Sequence, residues 1–307
     1  MIYNYRLNSD RRLERNNIGT DGDFLYLLQP SKEEIGRLTE RFGFPFDYLS
    51  GILDNYEKAR IEGDDKGNQL LLMQYPMMSD TGEIKTYPCS IVNTSSGVVI
   101  FALNADFELP GLKDVSFERE RFAHQMTYHL LFDIEARYEK HLAEFRQRRQ
   151  KIEKSIMKST KNDQLLDMIA MQASLIYFED AVSNNLSVLT RYAEYLRTHS
   201  QDGFAERIFD IQIAADQSHA ETRIQLKLME NLRDLFSNIV SNNLNIVMKI
   251  MTSATFVLGI PAIIVGFYGM NVPLPKQEWG NMWWLILVGI ILICGWVSVL
   301  LHKRDMM

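Results

Sequence analysis

Seven positions of this chain, Asn245, Met248, Thr252, Thr255, Gly259, Ala262 and Gly266, follow one another at alternating steps of three and four residues. That spacing puts them on one face of a helix. The face offers an amide, two hydroxyls and a thioether, and it carries no charge. It runs out at Tyr268-Gly269-Met270-Asn271. Glycine allows a left-handed or otherwise tight backbone that stops a helix and bares carbonyl oxygens, and Asn271 adds an amide oxygen. Several copies of such neutral oxygens in a ring would hold a hydrated divalent cation without stripping its water. This suits magnesium, which is small and gives up water reluctantly. A Gly-Met-Asn tripeptide by itself is a turn, and small residues also let helices pack closely. The chemistry therefore depends on the elements that position these residues.

Those elements are two uncharged apolar runs, Ile250 to Val272 and Asn281 to Leu301. A bilayer core needs about 20 apolar residues in a helix, so each run is long enough to span. The expected order is a stalk and pore-lining helix over 203–271, whose membrane part is about 250–270, then a loop over 272–280, a second span over 281–301 and a basic tail over 302–307. Lys249 and His302-Lys303-Arg304 flank the pair, against Lys276 and Glu278 in the loop. The positive-inside rule places both termini in the cytoplasm of a cell (inner or plasma) membrane. One hairpin encloses nothing, so any pore must lie on the symmetry axis of a homo-oligomer, lined by the first span and shielded from lipid by the second. Trp283 and Trp284 suit the membrane interface.

Residues before Lys249 are acidic overall, with 37 acidic against 29 basic side chains, which argues against nucleic acid as a partner. Cys89 and Cys294 fall in different regions and predict no disulfide. The start of the chain lacks the apolar core of a signal peptide. Phosphate-loop glycines are absent, and the six histidines are scattered, with His124 and His129 five apart. An enzyme is the least supported class. Residues 1–112 predict a small mixed α/β domain, with strands at Phe24–Leu28, Gln69–Tyr75, Tyr87–Asn93 and Val98–Leu103, a helix capped by Ser31 and another over Phe46–Leu53. No glycine or proline interrupts 113–202, which predicts two long antiparallel helices that break near Ser159-Thr160-Lys161-Asn162. Ile208, Ile211, Ile224, Leu228, Leu232, Leu235 and Ile239 suggest an apolar face on the stalk. One helix from 204 would approach 100 Å at ~1.5 Å per residue; two helices kinked near Asn242-Asn243 are the alternative.

Asn245, Met248-Lys249, Thr252 and Tyr268-Gly269-Met270-Asn271, followed by Trp279-Gly280, a second span and a basic tail, resemble the CorA family of divalent cation transporters. The likeness extends weakly to Asp54–Glu62 around Arg60 and to His129–Glu153 through Asp133, Arg137 and Tyr138. It implies an α+β membrane protein, homopentameric, with a cytosolic α/β funnel. The implied cargo is Mg2+, with Co2+ or Ni2+ as further substrates, gated by cytosolic magnesium sites. Gly269, Met270 and Asn271 would form the selectivity filter, Asn245 a ring near the cytosolic mouth, and Asp210 a regulatory metal ligand. The chain departs from the family pattern at Pro261, one position late, and at Gly259, where a bulkier gate residue is common. Glu278 is the one acid of the outer loop. A ZntB-like zinc transporter shares this architecture, although no His/Cys cluster favours zinc. A membrane-anchored coiled-coil scaffold or sensor would explain the helices and leave the polar stripe without a role.

Overall fold

The computed structural model describes residues 1–16, 21–78, 83–105, 112, 115–199, 203–270, 280 and 282–304. The chain divides into two compact units, Met1–Leu232 and Arg233–Met307. In the first unit β1 (Ile2–Leu7), β2 (Leu13–Asn16), β3 (Phe24–Leu28), β4 (Arg60–Gly63), β5 (Gln69–Met78), β6 (Ile84–Asn93) and β7 (Val99–Leu103) form one sheet in the order β2-β1-β3-β7-β6-β5-β4. Only the β3–β7 pair is parallel. The inner strands are covered on both faces and so carry near-continuous apolar runs, which made them predictable. Strands β1 and β2 escaped prediction because they mix polar and apolar residues near one edge of the sheet, and β4 was foreshadowed only by the likeness around Arg60.

On one face Leu25, Leu27, Leu70, Leu72, Val92 and Ile100 pack with Ile35 and Leu38 of α1 (Lys32–Phe42) and Tyr48 and Leu49 of α2 (Asp47–Ser50). The expected Ser31 cap is present: its hydroxyl accepts from the Glu34 amide while the Glu34 carboxylate accepts from the Ser31 amide. Two long helices, α3 (Phe122–Ile156) and α4 (Asn162–His199), lie on the other face, with the break where polar residues predicted it. There Tyr26 stacks on Phe101 and Tyr75 meets Phe101 at a tilt of 58°, the Tyr75 hydroxyl donates to Asp133 at 3.0 Å, and Arg137 sits over the Tyr75 ring.

One amide fixes both helices to the sheet. Strand β4 pairs with β5 only as far as Leu72, so the Gln74 peptide lies beyond it. Asn185 of α4 takes the place of the missing strand: its Oδ1 accepts from the Gln74 amide at 2.8 Å and its Nδ2 donates to the Gln74 carbonyl at 2.8 Å. Tyr138 of α3 donates to the same carbonyl at 2.9 Å. Asn185 and Tyr138 are both buried. Asn185→Leu should strand a buried peptide and cost about 2–4 kcal/mol, measurable as a lower denaturant midpoint.

Two further helices complete the fold, α5 (Phe204–Tyr268) and α6 (Met282–Lys303). Helix α5 passes through Asn242-Asn243 as a single element, which removes the two-helix alternative. The expected apolar face of α5 is corrected in part. Ile208, Ile211 and Leu232 are buried as expected, whereas Ile224 is 58% exposed and, in the second unit, Leu235 is 37% exposed. Within the first unit Phe204, Ile208, Ile211, Ala215, Ser218, Thr222, Gln225, Met229 and Leu232 form a buried seam at steps of three and four, with Ala205 buried beside it. Polar residues fill three places of the seam, so hydrophobicity alone loses it between Ala215 and Met229.

Candidate ion pathway

In the second unit the carboxy-terminal part of α5 and the whole of α6 are each long and apolar enough to cross a membrane. Helix α6 shields one face of α5, where Ser253 is buried and Val257, Ile260, Ile264 and Tyr268 are half-buried. The stripe lies on the other side. Asn245, Met248, Thr252, Thr255, Ala262 and Gly266 are exposed, and Gly259 is half-buried. Thr252, Thr255 and Gly259 help line an open groove of about 420 Å³ along this helix. A Cβ built on Gly259 or Gly266 meets nothing within 4 Å. Packing inside one chain therefore does not require these glycines, and whatever selects small residues there lies outside the hairpin.

Helix α5 closes tightly. The Gly269 amide donates to the Val265 carbonyl at 2.9 Å and the Met270 amide to the Phe267 carbonyl at 3.4 Å, which narrows the last turn. A Cβ on Gly269 would stand 3.2 Å from the Val265 oxygen. The glycine thus serves close approach, and its φ is not among the positive ones. Asn271 and Glu278 lie outside the described residues.

Pro261 sits within α5 and has no N–H to give, so the Val257 carbonyl one turn back has no intrahelical donor. In hydrocarbon such a group is costly. Cys294 of α6 supplies the donor, with its Sγ 3.6 Å from that oxygen. The sequence shows the proline but not the donor for the Val257 carbonyl, 37 residues on from Val257. Cys294→Val should weaken the hairpin by roughly 0.5–1 kcal/mol, and Cys294→Ser should retain more of the contact; unfolding midpoints in detergent would separate them.

Elsewhere Asp210 is exposed on α5. Arg60 pairs with Glu57 and Glu62, and Arg137 with Asp133 at 3.0 Å, so these charges are met locally by neighbours in sequence. Among the described residues no three His, Cys, Asp or Glu side chains gather as a metal site.

The arrangement defines a membrane protein with an α/β domain, a long helix that carries the first of two apolar stretches, and an uncharged stripe exposed along it. The family model for CorA-like Mg2+ transporter proteins matches residues 21–303. The cobalt/magnesium transport protein CorA of Methanocaldococcus jannaschii is 22% identical over 275 residues, 86% of this chain and 84% of that protein. The complete structure of the CorA magnesium transporter from the same organism superposes with a TM-score of 0.84 at 18% identity, covering 100% of this chain and 99% of that one. The ZntB cytoplasmic domain from Vibrio parahaemolyticus gives a TM-score of 0.60 at 9% identity, over 78% of this chain and 98% of its own. This chain belongs to the CorA family of divalent cation transporters, and with that family it is a transporter rather than an enzyme.

Proposed function

We propose that the protein is a homo-oligomeric channel, pentameric by family resemblance, that admits Mg2+ down the membrane potential. The observation that carries this reading is the stripe from Asn245 to Gly266, left uncovered on α5 while α6 shields another face. Copies arranged about an axis would set Thr252, Thr255, Gly259, Ala262 and Gly266 around a lumen, with Asn245 and Met248 at its inner mouth. Gly269, Met270 and Asn271 form the outer filter, and Glu278 is the acid of the loop beside it. Both termini are cytoplasmic, in the orientation that the flanking basic residues favour. The cytosolic domain gates conduction through α5, with Asp210 as a candidate regulatory ligand. Moving a doubly charged ion through ~100 mV releases roughly 4.6 kcal/mol, so inward flux needs no ATP. In liposomes with an inside-negative potential the purified protein should take up Mg2+, with Co2+ and Ni2+ competing more strongly than Zn2+. Lack of potential-driven Mg2+ uptake would sink the proposal, and preferential Zn2+ uptake would favour a ZntB-like substrate.

A further inference from the structure

The buried seam of α5 in the first unit is apolar except at three successive positions, Ser218, Thr222 and Gln225, each at most 4% exposed. Polar residues at such positions weaken a helix seam while fixing its register, and they are the places where it can exchange one state for another. The groups they meet differ in kind. Gln225 accepts from Arg149 at 3.1 Å, and Arg149 also pairs with Glu153 at 2.9 Å. On the flanks Glu221 pairs with Arg146, and His219 meets Glu179 of α4 at 3.1 Å. Each of these charges has an opposite or complementary partner.

Glu135 of α3 is different: among the described residues it pairs with no cation. Its carboxylate is 6% exposed and accepts from the Ser218 hydroxyl at 2.5 Å, while Thr222 turns its own hydroxyl back to the Ser218 carbonyl at 2.7 Å. Among the described residues the titratable groups that act on or around Glu135 are Glu139 and Tyr138 of α3, with Glu221 and His219 of α5 and Glu179 of α4 engaged as above. Tyr138 gives its proton to Gln74. As an anion Glu135 is thus a buried charge with one hydroxyl donor and a like-charged neighbour. As an acid it is a neutral group that can both donate and accept.

We propose that the Glu135–Ser218 contact is a proton-operated latch on α5: a proton on Glu135 closes the polar stretch of the seam against α3, and its loss loosens that stretch, so pH biases the helix that carries the ion pathway. The consequence for conduction rests on the transport reading above; the latch itself does not. Burial is the main force raising the Glu135 carboxyl, to about 7, and Glu139 adds to it while the Ser218 hydrogen bond works against it. A carboxyl raised in the closed state contributes stability that is full below its ordinary value of 4.5 and is lost as pH rises from there through about 7.

Amide exchange of the full-length protein in lipid nanodiscs, corrected for the chemical rate at each pH, reads the latch directly. From pH 6 to pH 8 protection across the Ser218–Gln225 turns should fall by about tenfold. Glu135→Gln should give the same protection at both values, no lower than the wild type at pH 6, and Ser218→Ala should move the transition to higher pH. In proteoliposomes with the pH of the cytosolic face varied, Glu135→Gln at pH 8 should reproduce the wild-type Mg2+ rate at pH 6. Wild-type protection that is flat between pH 6 and 8, or a Glu135→Gln protein that keeps the wild-type trend, overturns the latch. No Mg2+ flux at any pH overturns the transport reading instead, and the exchange data still decide the latch.

Discussion

Asn271→Ala is expected to cut potential-driven Mg2+ uptake by more than tenfold without dissociating the assembly. The residue stands at the end of an uncharged stripe, and its side chain offers the one amide oxygen of the Gly269-Met270-Asn271 turn. A ring of such oxygens would hold the outer water shell of an arriving ion, and hydrogen bonds to charged groups contribute about 1.5–3 kcal/mol each. A loss of only ~0.5 kcal/mol per copy, summed over several copies, exceeds the ~1.4 kcal/mol that corresponds to a factor of ten. Alanine removes the oxygen while leaving the turn's backbone free to form. The measurement is Mg2+-dye fluorescence in proteoliposomes, with particle mass recorded in parallel. Undiminished uptake at normal mass would show that the filter lies elsewhere.

The sequence displayed those parts of the protein in which hydrophobicity and burial coincide. Phe24–Leu28 could be bounded to the residue because it is apolar throughout and lies in the sheet's interior. The break between α3 and α4 was equally visible, since a run without glycine or proline had one polar interruption. Legibility ended where a polar residue does the work of an apolar one. Asn185 looks like a solvated helix residue until its amide is seen paired with the Gln74 peptide, 111 residues away in the chain. Ser218, Thr222 and Gln225 occupy the seam of α5, while Ile224 beside them is exposed, so the apolar pattern found the seam at Ile208, Ile211 and Leu232 and lost it in between. The same limit applies in the second unit. Pro261 announces an unbonded carbonyl, but only the packing of α6 identifies Cys294 as its donor. The common face of the stripe followed from its spacing alone, and the structure leaves six of its seven positions exposed.

Gly259→Leu separates the two meanings that a stripe of small residues can have, and the expected result is loss of at least nine-tenths of Mg2+ flux from an assembly of unchanged size. Within one chain the first atom of the new side chain meets nothing within 4 Å, and it opens onto the groove that Thr252, Thr255 and Gly259 help line. Replacing an interior helical glycine by leucine also favours the helix by somewhat under 1 kcal/mol. Any large effect must then come from what faces Gly259 in the assembly. If copies of α5 surround a lumen, a leucine from each enters it at one level, and a hydrated ion meets a ring of hydrocarbon it cannot cross without losing water. If the stripe instead lets helices touch, the leucines would push neighbouring copies apart and the oligomer would weaken, as expected for close packing through small residues. Gly259→Ala should be intermediate in flux under the first arrangement and nearly silent in mass under both. Flux and native mass recorded on the same preparation decide between them: lost flux at full mass supports a pore lined by the stripe, and lost mass assigns the stripe to packing.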